Sequence, residues 1–232
     1  MKIKLISSLS VAALLIISTS CSNKPGTGTT STTDSASIEK KEQASAPSLK
    51  KYDLKSGIVT YSAKVMGMDN SQKLYFDDYG AKELHETITE LSMMGVKTRK
   101  VSVELIKDGY RYIFDTENST NNKDNLVKEI KKSEVLNLGS AGMGVSAAAL
   151  TDEVKKQYDF KEEGTETVAG VSGTKFSMLM GKTRMTGVTY KKVMLKTAME
   201  MITIIAEKFE ENASIPSEKF ELPKDYKIIE VQ

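Results

Sequence analysis

Apolar and polar residues alternate along most of the chain beyond residue 50, at the two-residue period of a half-buried strand. Gly57–Met68 sets the pattern. Val59, Tyr61, Ala63 and Val65 share one parity, Thr60, Ser62 and Lys64 the other, and Met66 and Met68 make the far end apolar. Asp69-Asn70-Ser71 reads as a turn into a second strand, Gln72–Tyr79, and Tyr79-Gly80 as a turn into a polar strand, Ala81–Leu91. Met93-Met94-Gly95 reads as a loop. Asp108-Gly109, between Lys97–Ile106 and Tyr110–Asp115, is the strongest hairpin signal, and Glu117–Asn122 reads as a polar loop. Further strands are predicted at Thr165–Val168, Thr174–Met180, Met185–Tyr190 and Val193–Phe209, with turns at Gly170–Gly173 and Gly181-Lys182. The last of these is long enough to break into two near Ala198, and its Ala, Met and Glu content makes helix a competitor there. The four prolines all lie outside residues 48–215, as internal strands require, and Pro216 and Pro223 introduce a final extended arm, Phe220–Val231.

Two segments carry a different period. Asp124–Leu136 puts Leu126, Val127 and Ile130 on one stripe and lysines on the other, and Ser146–Tyr158 spaces Leu150, Val154 and Tyr158 by four. The spacing predicts two helices joined by the glycine-rich loop Gly139–Gly144. The expected fold class is therefore α+β: a strongly curved antiparallel sheet, a half-barrel, with helices covering its concave face.

The start of the chain is patterned differently again. Lys2 and Lys4 precede an apolar run from Leu5 to Ile17, then Ser18-Thr19-Ser20 and Cys21. This is the order of a secretory signal peptide, and the run falls short of the about 20 apolar residues that span a bilayer. Cys21 is the sole cysteine and stands at the cleavage point, as in the lipobox of bacterial lipoproteins, although Ser18 occupies the usual leucine position. The expected organisation is a signal peptide over residues 1–20, a lipidated (palmitoylated) Cys21 with a Ser/Thr-rich linker over 21–50, and one domain over 51–232. As a flexible coil the linker spans roughly 30 Å. The expected location is the bacterial cell envelope, with the lipid anchor in the outer membrane, since Ser22 is not the aspartate of inner-membrane retention.

Composition narrows the chemistry. Losing Lys2 and Lys4 with the leader takes 33 basic residues to 31, equal to the 31 acidic ones, so nothing in the charge favours nucleic acid. With Cys21 used for lipid, no disulfide, thiolate metal site or cysteine nucleophile is left. His85 is the only histidine, which excludes an imidazole-built zinc site, and its alternating surroundings predict an exposed strand position. Gly181-Lys182-Thr183 imitates the end of a phosphate-binding loop, but Phe176 stands where the motif needs glycine. Asp77-Asp78 and Glu162-Glu163 are strand neighbours that point to opposite faces. No catalytic residue, metal or cofactor is therefore assigned, and the expectation is a protein that is not an enzyme.

Methionine is the informative residue, twelve in all. Its flexible, polarizable side chain fills irregular cores and suits apolar surfaces that accept varied shapes. Phe176, Met178 and Met180 share a parity, Met66 and Met68 share another strand end, Met185 follows the Gly181 turn and Met143 sits in the glycine-rich loop. These seven are the candidate lining of a ligand cavity, with Met143 as its lip.

Ile58–Tyr61, Leu74–Gly80, Gly164–Gly170, Lys191–Lys196 and Ile215–Pro223 together resemble a group of uncharacterised bacterial envelope lipoproteins, similar in fold to the LolA- and LolB-type lipoprotein carriers. The chain lacks the tryptophan and cysteine that many of that group carry near Thr186–Tyr190 and Thr174. The resemblance implies a half-barrel whose cavity holds acyl chains of a lipid or lipoprotein. Two functions follow as expectations: a membrane-anchored module binding lipid in an apolar cavity, or a structural or protein-interaction module with no small ligand.

Overall fold

In the computed structural model, residues 50–135 and 152–231 are described. Alternation wins almost everywhere in them. β1 (Gly57–Val65), β2 (Met68–Asp77), β3 (Lys82–Met93), β4 (Val96–Lys107) and β5 (Tyr110–Thr120) form one antiparallel meander. β8 (Lys161–Val168), β9 (Val171–Met180), β10 (Thr183–Tyr190), β11 (Val193–Met199) and β12 (Ile202–Glu211) form another. β1 pairs with β12, from Gly57↔Glu211 to Val65↔Ile202, which fuses the two meanders into one sheet. Beyond β5 lie β7 (Glu129–Glu134) and, parallel to it, β13 (Lys227–Glu230), while the two-residue β6 (Lys123–Asp124) pairs with the end of β5.

The sheet carries apolar side chains on both faces. Val59↔Leu74 and Gly57↔Phe76 put Leu74 and Phe76 beside Val59, and this cluster includes Tyr52, Leu54, Tyr61, Leu195 and Ala206. Tyr75, between Leu74 and Phe76, points the other way and pairs with Leu84. There a second cluster gathers Leu84, Val103, Leu105, Tyr112, Phe114, Ile130 and Phe220. Arms outside the long strands supply the covers. The N-terminal arm brings Tyr52 and Leu54 onto the first cluster, held by Lys51 and Tyr52 N–H groups donating to the Tyr79 carbonyl at 3.0 and 3.1 Å. The C-terminal arm brings Phe220, with Ile215, Leu222 and Tyr226, onto the second.

The expected α+β class with covering helices is thus overturned: among the described residues the fold is an open sheet of 13 strands, with one six-residue helix, α1 (Asp152–Gln157), and short 3-10 turns. Asp124–Leu136 is the instructive error. Leu126, Val127 and Ile130 fit a helical stripe, yet Ile130 is fully buried and Val127 is 61% exposed. In β7, Ile130 points inward between outward Glu129 and Lys131, and the open side of β5 offers a full ladder from Tyr110↔Glu134 to Ile113↔Lys131. Backbone pairing there outweighs a weak helical propensity. Of the second expected helix, Ser146–Tyr158, only residues 152–157 are described as helical, and 146–151 lie outside the described residues.

The turns also moved. Asp69-Asn70-Ser71 lies inside β2, and the hairpin turns two residues earlier, at Met66-Gly67. Glu117–Asn122 is mostly strand, turning at Asn121-Asn122. The expected break in Val193–Phe209 falls at Glu200-Met201.

Candidate functional site

Strand direction sorts the turns into two ends. Turns β1–β2, β3–β4, β11–β12 and β9–β10 all lie at one end, because their strands alternate in direction across the sheet order β4-β3-β2-β1-β12-β11-β10-β9. The Met66 N–H donates to the Met201 carbonyl at 2.7 Å, tying two of these tips together. Each tip exposes apolar side chains. Met66 is 66% exposed, Met94 98% and Met201 60%, and Met68, Met93, Val96 and Met180 are also exposed. At about 4.8 Å per strand, the four tips form a row about 30 Å long. A fifth tip at this end, Asn121-Asn122, is polar. The opposite end carries Asp108-Gly109, Ala169-Gly170 and Lys191-Lys192.

The backbone at these tips sharpens the point. Met66 and Met94 both hold positive φ, at 51° and 51°, each followed by glycine. That geometry belongs to two-residue hairpins and favours Asn or Asp at the first position, as Asp108-Gly109 supplies in the same sheet. Methionine is a poor local choice there, and its side chain gains no burial. Neither the turn nor the core explains it.

A second constellation lies inside the sheet. Glu83, paired across strands with Phe76, is 1% exposed at its side chain. Lys51 Nζ stands 2.7 Å from both carboxylate oxygens, although only Oε2 receives it in hydrogen-bond geometry. His85 Nε2 is 3.2 Å from Oε2. Burial pushes the Glu83 carboxyl up, but His85 and the Lys51 ammonium outweigh it and hold it below its ordinary range. Burial, and then the Glu83 charge, push the Tyr52 and Tyr61 hydroxyls up. The carboxylate is walled off, with Oε2 bonded to Lys51 and beside His85 and Oε1 held only by the Lys51 charge, so this cluster fastens the N-terminal arm to β3. His85, expected exposed, is about one-third exposed and turned to Glu83. Among the described residues, no group of three or more His, Asp or Glu side chains could hold a metal.

The seven cavity candidates separate. Phe176, Met178 and Met185 come together in one buried cluster, with Tyr158, Phe160, Met194 and Met199 partly buried against it. Phe160 stacks on Phe176 at 5.3 Å, and a Cβ at Gly187 would fall 2.4 Å from the Phe176 ring. This is close-packed core. Met66, Met68 and Met180 stand apart on the exposed tips, and Met143 lies outside the described residues. Sequence reasoning placed Met93 and Met94 in a loop without joining them to a site, and put Met201 inside a longer segment, Val193–Phe209. The Met-Gly pairs between alternating runs were the available signal.

No family model and no curated protein matches the chain. Solved structures resemble it at a distance. An uncharacterized conserved protein from Thermus thermophilus aligns at 10% identity and TM-score 0.49, over 77% of this chain and 93% of that one. MucB in the Pseudomonas aeruginosa MucA/MucB complex aligns at 13% identity and TM-score 0.42, over 77% of this chain and 60% of that one. A DUF1329 family protein from Desulfovibrio piger aligns at 9% identity and TM-score 0.23, over 72% and 90%. At these scores the likenesses carry no argument about function.

Proposed function

We propose that the chain is a non-catalytic binding module of the bacterial envelope, anchored through lipid on Cys21, that meets an apolar target with the methionine-bearing end of its sheet. One observation carries this reading: seven exposed apolar side chains on four adjacent hairpin tips, two of them methionines in turn positions that favour asparagine. Exposed apolar residues scattered singly need no explanation, but a row of them at one end of a sheet marks an interaction surface. The acyl-chain or partner ligand expected from sequence is then engaged at this rim, because Phe176, Met178 and Met185 are taken up by packing. The anchor itself is checked by mass spectrometry of the N-terminal peptide, where an unmodified Cys21 would contradict it.

The rim is tested by placing a photoreactive amino acid at residue 94, and separately at residue 108, in cells. Crosslinks from 94, to lipid or protein, with none from 108 are expected. Equal yields at the two ends, or none at either, would sink the reading.

A further inference from the structure

We infer that the target of the methionine rim is an anionic bilayer surface, an inference that rests on the binding reading above. Among the described residues, the exposed large apolar side chains of the rim include no aromatic anchor of the kind that dominates protein–protein hot spots. Its apolar groups are single flexible side chains on separate tips, spaced about 10 Å apart at two strands per hairpin. A fluid acyl layer accepts such a fringe without shape complementarity. The register sets the four tips at two heights, with the β9–β10 tip, like the β3–β4 tip, about two residues beyond the other two. Val65↔Met68 and Val65↔Ile202 put two at one height, and Met93↔Val96 extends the third by about two residues. Projecting the β2–β3 register sets Met68 opposite Leu91, so the third tip stands about 7 Å prouder.

Charge agrees with this assignment. Neither Lys97, just behind the β3–β4 turn, nor Lys182, within the β9–β10 turn, has an acidic partner among the described residues, which places two lysines at the apolar end. Lys64 at the first tip is matched by Asp69 at 3.7 Å, and among the described residues Glu200 is the one unmatched acid in these four turns. Basic groups beside shallow apolar ones are the arrangement that anionic headgroups attract. Chain length permits it as well. Residues 22–49 have a contour of about 95 Å, and the twelve-residue β3 is about 40 Å long. A chain anchored at Cys21, entering the domain near Tyr79 at the polar end, can therefore still present the opposite end to the same membrane.

The test uses the mature chain, residues 21–232 with Cys21→Ser, floated with vesicles of phosphatidylethanolamine and phosphatidylglycerol. The parent is expected to bind. The double variant Met66→Asn/Met94→Asn is expected to lose at least ten-fold in partition coefficient while its Tm holds or rises, because asparagine suits both turns. Lys97→Gln/Lys182→Gln is expected to weaken binding several-fold on these vesicles and to leave binding to phosphatidylcholine vesicles unchanged. Absent binding by the parent, or equal binding by the asparagine variant, would overturn the inference. If residue 94 meanwhile crosslinks a protein in cells, the rim is still a binding surface but its target is not the bilayer. If residue 94 crosslinks nothing, the binding reading fails too.

Discussion

Lys51→Met removes the cation from the buried pair that pins the N-terminal arm. The Lys51 side chain is 7% exposed and that of Glu83 1%, so water cannot replace the lost partner. Removing one member of such a pair costs about 3–5 kcal/mol, a fifth or more of the roughly 5–15 kcal/mol of a typical domain. The double variant Lys51→Met/Glu83→Gln removes the stranded charge and should recover about half of that loss. Urea unfolding followed by far-ultraviolet circular dichroism measures both. The pH dependence supplies an independent sign. Glu83 is held below its unfolded value of about 4.3, so its contribution is complete above that pH and is lost as pH falls through the lower folded value. In Lys51→Met the burial that pushes the carboxyl up is less opposed, so the loss of stability on acidification from pH 5 to 3 should shrink. A Lys51→Met protein within about 0.5 kcal/mol of the parent, with an unchanged acid limb, would refute the buried pair.

Three further outcomes follow from packing. Gly187→Ala should cost about 1–3 kcal/mol of unfolding free energy, read by urea titration, since its Cβ would meet the Phe176 ring at 2.4 Å. Met178→Glu should unfold the domain and Met180→Glu should not, because the first is 3% exposed and the second 43%; circular dichroism and thermal melts separate them. Phe220→Ala should cost about 3–5 kcal/mol and make the C-terminal arm the first site of proteolysis, whereas an unchanged cleavage pattern would count against that arm as a cover.

Much of the sheet was legible in the sequence because side-chain parity is a local property. Val59, Tyr61 and Ala63 read as one buried face and are one, and Asp108-Gly109 turns where its chemistry demands. Asp124–Leu136 reads as helix because what decides it is remote: the vacant ladder of β5 and the parallel strand β13, about a hundred residues onward. The covers were illegible for the same reason. Tyr52 sits in a run of bends and Phe220 at the end of the 3-10 turn Ser217–Phe220, polar stretches whose value lies in the clusters they land on. At the candidate site, the methionines at 66 and 68 stand out in the sequence, but a turn placed at Asp69-Asn70-Ser71 hides that they form a tip. Only the sheet order shows that four such tips share one end.

The most direct measurement of the central claim is methionine oxidation in intact envelopes against detergent-solubilised protein, read peptide by peptide by mass spectrometry. Thioethers that reach water oxidise, and those covered by a target do not. Met66, Met94 and Met201 should be protected in envelopes and become reactive on solubilisation, while buried Met178 and Met185 stay unreactive in both. Equal oxidation of Met94 in both states would mean that nothing covers the rim, and would contradict the account.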